Sequence, residues 1–184
     1  MQAIADFMVA LSQWIQTSTP VPTFSLWLQK QWYSDIIAKT HFAIPALQTI
    51  HTLAVAMLLT AVLMITLRVF MVAGKTRTLA QTLHRFVPWI WWCLLVLLIT
   101  GSLLALGEPP RDLQNPAFWT KMCVVPIAAL ITLGIQSSMF KNIAGWEAAA
   151  THRSVVAQAV AVLFILLWLL IMGLGRWIAY VATA

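Results

Sequence analysis

The stretch HFAIPALQTIHTLAVAMLLTAVLMITLRVF, residues 41–70, decides the fold. Between Ala43 and Leu67 it carries no Asp, Glu, Lys or Arg. Crossing a hydrocarbon core takes about 20 consecutive apolar residues, so this segment reads as a membrane helix. Three more stretches qualify, at roughly 88–107, 117–139 and 154–177. Over the 184 residues, 61% are hydrophobic and 9% charged, against about 25% charged in soluble domains. A soluble globule is excluded. The expected fold class is an all-α membrane protein: a four-transmembrane-helix bundle over 41–184, preceded by interfacial amphipathic helices in 1–40 on the periplasmic side.

Upstream, MQAIADFMVALSQWIQ places Ile4, Phe7, Met8, Leu11 and Ile15 at helical spacing, with Asp6, Ser12, Gln13 and Gln16 elsewhere. It lacks the basic start and continuous apolar run of a signal peptide and reads as a helix lying in the membrane interface. The prolines of TSTPVPT end it. Trp27, Trp32 and Tyr33 follow where interface anchors are expected.

Downstream, the first connection holds Lys75, Arg77 and Arg85, with Arg68 at its edge; the second holds Arg111 beside Glu108 and Asp112; the third holds Lys141 and Arg153. Lysine and arginine concentrate on the cytoplasmic side. The bias places the first and third connections inside and both termini in the periplasm, in a bacterial inner membrane. Trp89, Trp91 and Trp92 then belt the inner face, and Trp119, Trp177 and Tyr180 the outer. Pro88 is expected to start the apolar part of the second span and Pro116 to open the third, with a kink at Pro126. The net charge of +6 is spread over these loops and helix ends, which argues for topology rather than nucleic-acid binding. Cys93 and Cys123 read as small buried hydrophobes. Gly101, Ser102, Gly134, Ser138, Gly173 and Gly175 read as packing positions that let helices approach.

The residues that lipid disfavours gather at one depth. Counting from Arg68, His51 stands about 25 Å up the first span at 1.5 Å per residue, near the outer edge of a core about 30 Å thick. Gln48 precedes it by one turn. Lys121 lies about one turn into the third span, Glu108 closes the second and Arg176 the fourth. An ionisable residue inside a membrane is a functional-site candidate, and agreement in depth strengthens it. Two bland readings stand beside it. Lys121 and Arg176 can extend to the headgroups, and His51 can serve as a hydrogen-bonding tie between helices. His41, His84 and His152 read as solvated boundary residues.

PALQTIH followed by TLR, then PWIWW, ITGSLL and NPAFWTKM, resembles an uncharacterised bacterial four-span membrane protein family, domain of unknown function 6644. The resemblance covers about residues 24–136. It implies four spans and places His51, Arg68, Pro88, Trp89, Asn115, Pro116 and Lys121 at the family's pattern positions. It also implies a glutamate where Gln48 stands and an aspartate where Thr66 stands, so a Glu–His pair would be half neutralised here. No activity comes with it.

Function then rests on chemistry. Bundle cores hold haem b and quinones, with neutral imidazole the usual iron ligand. The first reading is therefore an accessory subunit associated with electron transfer, its haem b or quinone held by His51, Gln48, Lys121, Met122, Arg176 and Glu108. His51 would be the metal ligand and Met122 a second candidate. Haem lacks a second imidazole at that depth, whereas quinone needs only a histidine and a polar partner. The alternative is a non-catalytic anchor or docking module for a protein partner in the membrane or periplasm. A transporter lacks an inverted repeat to work with, and no serine, cysteine or carboxylate is spaced to make a histidine hydrolytic.

Overall fold

The computed structural model describes residues 2–74 and 76–177, the side chains of 2–5, 7, 8, 176 and 177 excepted. The sequence expectations on Ile4, Phe7, Met8, Lys75, Trp177 and Tyr180 therefore lie outside the described residues. Among the described residues the chain is all-α. Its elements are α1 (Gln2–Ser18), α2 (Val21–Gln29), α3 (Trp32–Lys39), α4 (Ala43–Val69), α5 (Leu79–Gly107), α6 (Pro109–Leu113), α7 (Pro116–Lys141), α8 (Ile143–Thr151) and α9 (Val155–Trp177). The four long helices α4, α5, α7 and α9 are each long and apolar enough to cross a membrane. The chain is a multi-pass membrane protein in a lipid environment.

Helix ends follow local chemistry. The helix extends ahead of the apolar part that Pro88 was expected to start: α5 begins at Leu79 and carries Pro88 inside it. The start is set by a capping box. Thr78 Oγ1 accepts from the Gln81 backbone N–H at 3.2 Å, and Gln81 Oε1 accepts from that of Thr78 at 3.2 Å. Pro116 does open α7, where its missing N–H costs nothing. Ahead of it Asn115 Oδ1 accepts from the Ala117 N–H at 2.9 Å. The second and third connections are themselves partly helical, as α6 and α8.

The chain divides into two units, each taking a part of all four long helices. One comprises residues 53–97 and 125–171. Its buried face follows helical spacing: Leu58, Ala61, Ile65 and Val69 on α4, Leu79, Leu83, Val87 and Ile90 on α5, Ala157, Ala161, Phe164, Trp168 and Ile171 on α9. The outward residues are equally apolar, among them Leu95, Leu130, Leu163 and Leu166. Lipid-facing helices need no polar side, so burial here reflects packing rather than escape from water.

At one edge of this unit Arg68, 3% exposed, is fully engaged. Its Nε donates to Arg77 O at 2.8 Å, its Nη1 meets Met71 Sδ at 2.7 Å, and its Nη2 bonds Glu147. Glu147 Oε2 also accepts from the Leu79 N–H at 2.5 Å. One carboxylate on α8 thus neutralises the last turn of α4 and caps the first turn of α5. Trp91, expected in an aromatic belt, instead donates from Nε1 to Gln136 Oε1 at 3.0 Å.

The other unit comprises residues 1–52, 98–124 and 172–184. Here α2 packs on α1, α3 and α6. Ser25, buried on α2, donates to Pro22 O at 2.8 Å and accepts from Gln114 Nε2 at 2.9 Å. That tie joins the N-terminal helices to the α6 turn. The outward side of α1–α3 presents Trp14, Phe24, Leu26, Trp27, Trp32 and Ile36.

Candidate functional site

The second unit holds most of the residues singled out for function. His51, half-buried on α4, bonds through Nδ1 to Thr100 Oγ1 of α5 at 2.8 Å. The next residue on α5 is Gly101, where an added Cβ would stand 3.5 Å from His51 Cε1. The small residue lets the helices close enough for the imidazole to reach its hydroxyl. Lys121, half-buried on α7, lies within electrostatic reach of His51. It meets a second glycine: a Cβ at Gly175 on α9 would stand 3.5 Å from Lys121 Nζ.

Acidic groups border Lys121. Asp112 on α6 is close enough to act on it electrostatically. Burial pushes the Asp112 carboxyl above the usual aspartate value; Arg111 opposes the rise, Glu108 adds to it, and Lys121 opposes it. Glu108 Oε2 itself accepts from Arg111 Nη1 at 2.5 Å across a partly exposed turn. It is committed to its own turn.

Of the proposed residues, the structure therefore brings His51 and Lys121 together and places Glu108 at their border. Gln48, one turn before His51 on α4, is exposed. Met122, the residue after Lys121 on α7, is 41% exposed. The Arg176 side chain lies outside the described residues. Among the described residues no group of three His, Cys, Asp or Glu could hold a metal ion. His41, His84 and His152 are exposed, His84 against the edge of Phe140 at 5.5 Å.

Sequence reasoning missed Thr100 and Asp112. Thr100 stood in the quoted ITGSLL, but only the rotation of α5 decides that it, and not the exposed Ser102, faces His51. Asp112 was visible as an acid in a short connection; its burial came from the α6 turn, which the proline-rich GEPPRDLQNP concealed.

Residues 24–181 match the profile of DUF6644, a family of unknown function. The chain belongs to that family. No curated protein and no solved structure matches it. The match runs through every DUF6644 segment discussed above from α2 onward, so His51, Thr100, Asp112 and Lys121 all fall within the family's extent.

Proposed function

We propose that this DUF6644 protein is an accessory subunit of an electron-transfer assembly that holds a quinone head group against His51. One observation carries the reading: an imidazole within a membrane-spanning helix is oriented by Thr100 and has Lys121 within electrostatic reach. Bound quinone would supply a two-electron, two-proton carrier, with electrons delivered by a partner in the membrane or periplasm. In the tautomer whose Nδ1 accepts from the Thr100 hydroxyl, the neutral imidazole carries its hydrogen on Nε2. That nitrogen then donates to a carbonyl oxygen, which can only accept. Lys121, as an ammonium, stabilises negative charge on the same head group, and Asp112 beside it is placed to exchange a proton. Haem b is the poorer occupant, because no second imidazole accompanies His51.

A second reading, an anchor or docking module without a cofactor, is favoured by the exposed aromatic residues Trp14, Trp27 and Trp32 on α1–α3. Both readings place the chain in a bacterial inner membrane with periplasmic termini. Organic extraction of the detergent-purified protein, with a visible spectrum, separates them. The expected result is stoichiometric quinone and no Soret band, with His51→Leu losing the quinone while helicity is retained. A Soret band would give the site to haem. Absence of both chromophores would leave the docking module.

A further inference from the structure

A second polar cluster lies in the unit formed by residues 53–97 and 125–171. Threonines on the long helices mostly return their hydroxyl to the carbonyl one turn back. Thr49, Thr60, Thr120 and Thr132 do so at 2.8, 2.8, 3.0 and 2.7 Å. Thr66 does not. It is 5% exposed, and its Oγ1 has no protein hydrogen-bond partner. Gln136 on α7 is 6% exposed, and its Nε2 has none either. Both side chains line one cavity of about 10 Å³ with Ile65, Leu83, Val160 and Phe164.

The orientation of the Gln136 amide is fixed independently. Trp91 Nε1–H can only donate, so the oxygen faces Trp91, and the unpartnered NH₂ is the polar group Gln136 has left to offer the cavity it lines. An occupant must therefore accept from Gln136 and also exchange a hydrogen bond with a hydroxyl. A cation is repelled by the N–H. An anion would bring uncompensated charge among apolar walls. The space suits one water molecule, which needs about 10–15 Å³ and at least two polar partners.

We propose that this cavity is a specific binding site for a single water bridging Thr66 Oγ1 and Gln136 Nε2. The bridge completes a hydrogen-bonded chain from α4 through the water to Gln136 of α7 and Trp91 of α5. Three membrane-crossing helices are thereby tied by polar contacts inside an otherwise apolar core. Each buried polar group thereby gains a partner that the protein itself does not supply.

A structure of the full chain in lipid at better than about 2 Å tests the site. The expected result is a solvent peak within about 3.2 Å of both atoms, kept in Thr66→Ser and lost in Thr66→Val. No peak, or a peak unchanged in Thr66→Val, overturns the proposal. A thermodynamic cycle with Thr66→Val, Gln136→Met and the double variant gives a second measurement by denaturation in detergent. A shared water predicts coupling of about threefold in the unfolding constant, the double losing less than the product of the singles. Strictly multiplicative losses overturn it.

Discussion

Glu147→Ala removes a carboxylate that serves two helices at once, and the structure sets the size of the effect. Arg68 is 3% exposed, so the substitution leaves a guanidinium buried beside only the Arg77 carbonyl and Met71 sulfur. Removing one partner of a buried ion pair costs about 3–5 kcal/mol. The lower end applies, because the Glu147 side chain is 32% exposed and water enters when it is cut back. The same change leaves the first N–H of α5, on the fully buried Leu79, without its acceptor, which adds about 1 kcal/mol. The expected loss is about 4 kcal/mol, a large share of the 5–15 kcal/mol typical of folded domains. Glu147→Gln keeps an acceptor and loses only charge, so about 2 kcal/mol is expected. Pairing the change with Arg68→Met should recover most of the stability, since an apolar pair of similar volume replaces a buried ion pair at little cost. Denaturation by sodium dodecyl sulfate in mixed micelles, followed by circular dichroism, measures all three. An alanine variant within about 0.5 kcal/mol of wild type, the range of ordinary surface changes, would refute the clamp. Equal losses for Gln and Ala would refute the division between charge and cap.

Further outcomes can be checked alongside it. Gly107→Ala should destabilise by about 1–3 kcal/mol, because the new Cβ would stand 2.9 Å from Ile37 Cγ2; Gly134→Leu should be tolerated, since nothing lies within 4 Å of that position, and the reverse ranking in thermal midpoints would contradict the packing. Asp112 has a raised carboxyl pKa, so its contribution is fully present below the ordinary aspartate value and is lost as pH rises through the folded one. Thermal midpoints of wild type should therefore fall across that acidic window relative to Asp112→Asn, and parallel pH profiles would rule the linkage out. Compartment-specific reporters at residue 80 and at the C-terminus should read cytoplasm and periplasm respectively; a cytoplasmic C-terminus would invert the topology argued from Arg77 and Arg85.

The spans were legible because apolar length is a coarse, redundant signal: α4 and α9 lie within one residue of their expected limits. The start of α5 was legible too, in the Thr78–Gln81 pair, but Pro88 masked it. A proline in mid-helix is tolerated in lipid when its neighbours reseat the freed carbonyl, so proline marks a boundary less firmly there than in water. The candidate site was half legible. His51 and Lys121 announced themselves as charges or donors where lipid gives no solvation. Gln48, about 60° around the axis from His51, is exposed. Glu147 and Asp112, outside the spans, became informative only once α8 and α6 were seen to fold their connections back onto the helix ends.

The glycines carry the last step. All four read alike in sequence, as generic small residues for helix approach, yet the structure separates them. Gly134 and Gly173 have nothing within 4 Å of an added Cβ, whereas Gly101 faces His51 and Gly175 faces Lys121. In lipid, apolar helices gain little from contact as such, and close approach is driven by dispersion and by polar groups seeking partners. A large side chain at position 101 would hold α5 away from α4 and strip Thr100 from His51. One at position 175 would crowd the lysine that shares its layer. Of these four, the two with close neighbours are those beside polar groups, whereas Gly107 closes on apolar Ile37 and Ile44. Gly101→Leu should accordingly cost the His51–Thr100 hydrogen bond, and with it the quinone proposed to bind there, whereas Gly173→Leu should leave both in place.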